Sequence, residues 1–187
     1  NLSRFAECLI PFIDNDQEKA IRFATEIINS FEKKYEEKWL NMMRDKLGLF
    51  GEDIKDKFLI LDLLTWMHQK KVDYTNTFCH LMNEDINKDK NFEDKDFQNW
   101  KIRWNERLKT NNDTPEKYLE LMKTVNPLII PRNHKVEEVL EKAEKNNLKP
   151  INQLIKVLKD PYSNQKNILD YQIVPNSDKK YQTFCGT

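Results

Sequence analysis

Asn126-Pro127-Leu128-Ile129-Ile130-Pro131-Arg132-Asn133-His134 sets three consecutive aliphatic residues between two prolines. A proline drives the residue before it out of the α region, so Asn126 and Ile130 are predicted to be extended. The segment therefore reads as a strap laid across apolar surface, not as a helix. Asn133 is the predicted N-cap of the helix that follows, its side-chain oxygen placed to accept a first-turn amide. Glu137 and Glu138 sit early in that helix, where carboxylates suit the positive dipole end. Val136, Val139, Leu140 and Ala143 give it one apolar face. Paired helices precede the strap. Two helices and a tail ending Cys185-Gly186-Thr187 follow it. Chemistry alone makes this stretch a packing junction.

Working toward the start, Leu2, Phe5, Leu9 and Ile13 recur at helical spacing behind Ser3, a candidate cap, and Pro11 is expected to kink or end that helix. Asp14 with Gln17 resembles a capping box. Ala20, Ala24, Ile27, Phe31, Tyr35, Trp39, Met42 and Leu47 then trace a long amphipathic helix, with a break expected near Ser30 and a stop at Gly48 and Gly51. Asp53 is the predicted cap of the next helix, which is apolar almost all round from Phe58 to Met67 and so expected to be central. Val72-Asp73-Tyr74-Thr75-Asn76 reads as a turn or cap before a helix carrying Phe78, Leu81 and Met82. Phe97, Trp100, Trp104 and Leu108 mark another helix, with both tryptophans on one face. Thr114 and Pro115 start the next, which bears Leu119 and Met122. Past the strap, Pro150 opens a helix with Ile151, Leu154, Ile155 and Leu158, ended by Asp160-Pro161-Tyr162. No alternating run suits a sheet. The expectation is an all-α fold, an irregular bundle of about seven to eight helices in antiparallel pairs. It treats 1–187 as one helical region with 163–187 as an extended, irregular tail.

Composition narrows the function. The chain has 187 residues, 33% charged and 39% hydrophobic, with 31 basic side chains against 31 acidic ones. A nucleic-acid binder carries a basic excess or stripe, and none is visible. No apolar run approaches the ~20 residues that span a bilayer, and no signal peptide is seen. Neither nucleic acid nor membrane is an expected partner. The start at Asn1 reads as an excised piece of a longer chain. Three cysteines, Cys8, Cys79 and Cys185, are far apart and odd in number, which argues against a secreted disulfide framework and for a reducing compartment. Only Gly48, Gly51 and Gly186 are glycines, too few for a phosphate-cradling loop within these residues.

Several stretches invite a site and each has a plainer reading. Asp85-Ile86-Asn87-Lys88-Asp89-Lys90-Asn91, with Asp96 beyond, partly mimics a calcium loop. Lys90 replaces the turn glycine and Asp96 the bidentate glutamate, so a solvated loop is the preferred reading. Cys79 and His80, with His68, lack zinc spacing, and adjacent helical residues point about 100° apart. Packing is preferred there. Trp100 and Trp104 without a basic groove read as core anchors. His134 titrates near neutrality, yet no partner nucleophile or carboxylate is identifiable. Arg132 and His134 are expected to donate hydrogen bonds that tie the strap to neighbouring carbonyls or carboxylates. Cys185, beside Gly186 near the chain end, is an accessible thiol and a redox candidate.

Asn1-Leu2-Ser3-Arg4-Phe5-Ala6-Glu7, Met43-Arg44-Asp45-Lys46-Leu47-Gly48-Leu49, Val72 to Asn76, Asn126-Pro127 through Pro131-Arg132-Asn133-His134 with Val136-Glu137, Asp160-Pro161-Tyr162 and Cys185-Gly186-Thr187 occur in one order along the chain. In that order they resemble the C-terminal part of the selenoprotein O family of protein adenylyltransferases, the YdiU-like proteins of bacteria. The likeness covers nearly the whole chain. It implies a kinase-like (pseudokinase) parent, cytoplasmic and bacterial, that transfers AMP from ATP to hydroxyl side chains of other proteins with magnesium or manganese. It also implies that the catalytic and nucleotide-binding residues lie upstream, so no catalytic, cofactor or metal residue is carried onto these positions. Asn126, Pro127, Pro131, Arg132, Asn133 and His134 remain as a structural or interlobe motif. Cys185 matches the redox position three from the end, although many relatives finish Cys-Ser-Ser. The resemblance implies a reversible disulfide between it and a cysteine of the missing part, which requires α-carbons within about 7 Å.

Two functions follow. In the first, this is the helical part of an AMP-transferring enzyme, inactive alone, partnered by the N-terminal kinase-like part and, through it, by protein substrates. In the second it is a stand-alone helical interaction module.

Overall fold

The computed structural model describes residues 1–84, 89–110, 114–164 and 168–175. Among them are nine α-helices, one short 3-10 turn and no strand: α1 (Leu2–Ile13), α2 (Gln17–Lys46), α3 (Asp56–Lys70), α4 (Tyr74–Met82), α5 (Lys95–Lys109), α6 (Pro115–Val125), α7 (Asn133–Glu144), α8 (Lys149–Leu158) and α9 (Ile168–Gln172), with the 3-10 turn at Lys90–Glu93. The all-α expectation holds. No described helix is long and apolar enough to cross a membrane. The tail expected to be irregular contributes α9.

Two compact units divide the chain, Asn1–Arg44 and Asp45–Thr187. In the first, α1 keeps Pro11 inside and runs two residues past it. Ser3 lies within α1, whose cap position is Asn1. Asp16, not Asp14, caps α2, accepting from the amides of Glu18 at 3.0 Å and Lys19 at 3.2 Å. The expected break at Ser30 does not occur. Its hydroxyl donates back to the Ile27 carbonyl at 2.8 Å, satisfying the side chain inside the helix.

The second unit is built on aromatic rings. Trp66, Phe92, Phe97, Trp100 and Trp104 form a continuous series of ring contacts. Trp100 and Trp104 stack with centroids 5.8 Å apart. Their indole N–H groups donate to the Leu59 and Leu47 carbonyls at 2.8 and 2.9 Å, so a buried aromatic body also satisfies its polar atom. The closest helix packings include α3 on α5 and α4 on α6 as well as α7 on α8. α7 pairs with its sequence neighbour α8 as expected, whereas α3 and α4 each skip one helix. The all-round apolar α3 is less central than expected. Leu59, Ile60, Leu63, Trp66 and Met67 are buried, but Phe58 is 67% exposed.

Gly48 ends α2 with a left-handed φ of +68°. A Cβ there would lie 3.0 Å from both the Cβ and the carbonyl oxygen of Tyr118 on α6. Gly51 shares the +68° φ but has nothing within 4 Å of its would-be Cβ. Left-handed strain costs about 1–2 kcal/mol at either position, and overpacking adds roughly 1 kcal/mol or more at Gly48 alone. Urea denaturation should therefore show Gly48→Ala losing about 2–3 kcal/mol or more and Gly51→Ala about 1–2 kcal/mol. Equal losses would mean that the Tyr118 backbone yields freely.

Candidate functional site

The strap between α6 and α7 is pinned at both ends. At its start Asn126 is 1% exposed. Its side-chain amide donates to the Lys46 carbonyl at 2.9 Å, closing an open carbonyl at the end of α2. The Lys46 ammonium returns a bond to Asn126 Oδ1 at 2.9 Å. It also lies 4.7 Å from the Phe78 ring centroid and 5.4 Å from that of Tyr74, where ring quadrupoles attract a cation. Burial lowers the Lys46 pKa below the usual lysine range, and nearby Cys79 acts the other way.

Mid-strap, the amides of Leu128 and Ile129 both donate to the Pro161 carbonyl, at 2.8 and 3.2 Å. Their side chains join Cys79 and Val157 in a buried cluster. Gln172 on α9 donates to the Leu128 carbonyl at 3.0 Å. Extended backbone leaves its polar groups open, and these bonds satisfy the Leu128 and Ile129 amides and the Leu128 carbonyl without a sheet.

At the far end Arg132 is 9% exposed and makes four side-chain bonds. Nη1 and Nη2 each donate to an Asp73 carboxylate oxygen at 2.8 Å. Nη2 also donates to Asn76 Oδ1 at 3.0 Å, and Nε to the Tyr171 carbonyl at 3.2 Å. Asp73 meanwhile caps α4 by accepting from the Asn76 amide at 2.9 Å. Burial alone would raise the Asp73 pKa. Hydrogen bonds from Arg132 and the Asn76 amide, with the guanidinium charge, outweigh it and hold the carboxyl below the usual range. The paired fork is the geometry for which arginine, not lysine, is suited.

The expected tying role fits Arg132 and not His134. His134 Nε2 is buried with no hydrogen-bond partner. Burial first, then the charges of Lys135 and Arg132, push its pKa down, so the ring is neutral at neutral pH. Asn133 is the first residue of α7 and the cap position is Arg132, with no side-chain capping bond. Pro127 accepts a weak bond from the Cys79 thiol at 3.7 Å, and Pro131 leads into the cap. Burial, then the Asp73 carboxylate, push the Cys79 thiol up to about 11. That thiol is a packing group and not a nucleophile at neutral pH. His80 stacks on Phe92 at 3.8 Å. Among the described residues no group of three or more His, Cys, Asp or Glu is placed to hold a metal ion. Most of the calcium-like loop and all of Cys185 lie outside the described residues.

Sequence reading missed Lys46, Asn76, Tyr171 and Gln172 as partners of the strap. One signal pointed to the first two. Met43–Leu49, Val72–Asn76, Asn126–His134 and Asp160–Tyr162 are scattered along the chain, yet Lys46, Asp73, Asn126, Arg132 and Pro161 meet in this one node. What the node does chemically is hold: it joins the end of α2, the start of α4, the strap and α9 through buried hydrogen bonds.

The family model described as protein adenylyltransferase SelO matches residues 1–159. The chain is 53% identical over 188 residues to the protein nucleotidyltransferase YdiU of Pelagibacter ubique, with all of this chain and 39% of that protein covered. It is 43% identical to the YdiU protein of Alcanivorax borkumensis and 41% identical to that of Nitrosococcus oceani, covering 39% and 38% of them. The chain thus spans about two-fifths of the length of the curated relatives it matches.

Proposed function

Since the chain belongs to the SelO family of protein adenylyltransferases, we propose that it is the C-terminal helical part of an enzyme that transfers AMP from ATP to serine, threonine or tyrosine hydroxyls of other proteins. In this reading it supports or regulates the catalytic part, lacks the nucleotide site and is inactive alone. One observation carries it: the whole chain matches relatives named as nucleotidyltransferases while covering about two-fifths of their length.

Among the described residues no set of histidine, cysteine or carboxylate donors fits the metal of this reading. In this reading ATP and magnesium or manganese belong with the rest of the polypeptide. There, a divalent metal and cationic side chains would neutralise the charge on the phosphates. This chain's contribution is rigidity. A node of buried polar groups tied by Arg132–Asp73 and Asn126–Lys46 holds one geometry, and positioned reactants depend on such a frame. Cys185 is the redox-responsive thiol of this reading, and the enzyme works in the bacterial cytoplasm.

The test compares AMP transfer from ATP to protein by a polypeptide of the relatives' full length and by this chain. Transfer by the former alone is the expected result. Turnover by the 187-residue chain unaided, or none by the full-length polypeptide, defeats the proposal.

A further inference from the structure

In the unit Asn1–Arg44 most of the large apolar side chains are exposed. No residue of α1 is buried, and Phe5 and Phe12 are 62% and 85% exposed. Along α2 one row runs Ala20, Ala24, Ile27, Phe31, Tyr35, at the spacings of a single helical face. Its first two members are buried; the next three are 65%, 48% and 58% exposed. The row thus starts as core and continues into water without changing character. Scattered exposed apolar residues are ordinary, but aligned large ones mark a surface that meets a partner.

Charge says what kind of partner. Arg4 pairs with Glu7 on α1, and Lys19 pairs with Asp14 between the helices. These charges are balanced within the unit, so the row calls for an apolar counterpart and not an acidic or basic one. About three-fifths of the relatives' length lies outside the match. A segment joined to the same chain is present at an effective concentration of about millimolar, which outcompetes a second copy at ordinary protein concentrations.

We propose that the exposed end of the α2 row, Ile27, Phe31 and Tyr35, together with the exposed Phe5 and Phe12 of α1, docks the remaining segment of a polypeptide of the relatives' length. This rests on the reading of the chain as part of such a polypeptide. The docked segment buries the row as an intramolecular core, and α1 and α2 belong structurally to the catalytic part they adjoin.

Hydroxyl-radical footprinting tests this without any variant. Phe5, Phe12, Phe31 and Tyr35 should oxidise readily in the 187-residue chain at every protein concentration. In the full-length polypeptide their rates should fall at least about five-fold, as for rings moved into a core. Equal rates in the two proteins overturn the proposal. So does protection already present in the 187-residue chain: if it grows with concentration the occupant is a second copy, and if it does not the chain covers the face itself. AMP transfer measured on the same full-length sample separates the two claims. Protection without transfer sinks the enzymatic reading and leaves docking standing; transfer without protection does the reverse.

Discussion

Arg132→Met should lower the melting temperature by about 10 °C, the largest single effect expected in the molecule. The side chain removed holds Asp73 through two 2.8 Å bonds, and the two side chains are only 8% and 20% exposed. Taking one partner from a buried pair strands the other and costs about 3–5 kcal/mol, and a chain of this size loses roughly 2–4 °C per kcal/mol. Asn76 Oδ1 and the Tyr171 carbonyl lose donors as well. The pH dependence carries a sign. The Asp73 pKa is depressed in the folded state. Its stabilisation is therefore complete above the unfolded carboxylate value of about 3.9 and is lost as pH falls through the lower folded value. The gap between wild type and Arg132→Met should be widest above pH ~5 and narrow below pH ~4. Thermal melts followed by circular dichroism from pH 3 to 7 measure both. A gap that stays constant across that range removes the ion pair as the cause.

The second large effect is at Asp56. Its side chain is fully buried and accepts from Arg107 Nε at 2.8 Å, from Nη2 at 3.3 Å and from the Asp53 amide at 3.0 Å. Arg107 is itself only 10% exposed, and it also donates to the Phe50 carbonyl at 3.1 Å. Asp56→Ala takes away the charge that offsets the guanidinium and releases the turn before α3, for about 3–4 kcal/mol. Arg103–Asp62 is the internal comparison: both side chains are 51% exposed at a similar distance of 2.7 Å. Asp62→Ala should cost less than about 1 kcal/mol. Urea denaturation of the two variants measures the contrast, and similar losses would show that burial does not set the value of these pairs.

Asp56 also shows where sequence reading stops. Asp53 was the predicted cap of α3, but its carboxylate accepts from Lys55 two residues on, and the helix begins at Asp56. The same displacement by two or three residues occurs at Asp14 and Asp16. Where several short polar side chains fall within one turn, each satisfies the local capping rule. The choice among them is made by the packing of the helix they precede. Phe58 failed differently. A run of apolar residues says that α3 is flanked by core, but which side of it faces water depends on which helices arrive.

Periodicity and proline chemistry are local properties, so the chain carries them wherever it goes. Phe97, Trp100, Trp104 and Leu108 were legible as one buried face because helical geometry is set by the backbone, and all four are buried. Pro127 and Pro131 forced an extended strap for the same reason. Helical content, the strap and the family likeness were thus determined by the sequence itself. Only the tertiary structure decided that Arg132 pairs with Asp73 across 59 positions and Arg107 with Asp56 across 51. With 31 charges of each sign many pairings satisfy Coulomb's law equally well on paper. Burial of the surrounding apolar faces selects the few that form.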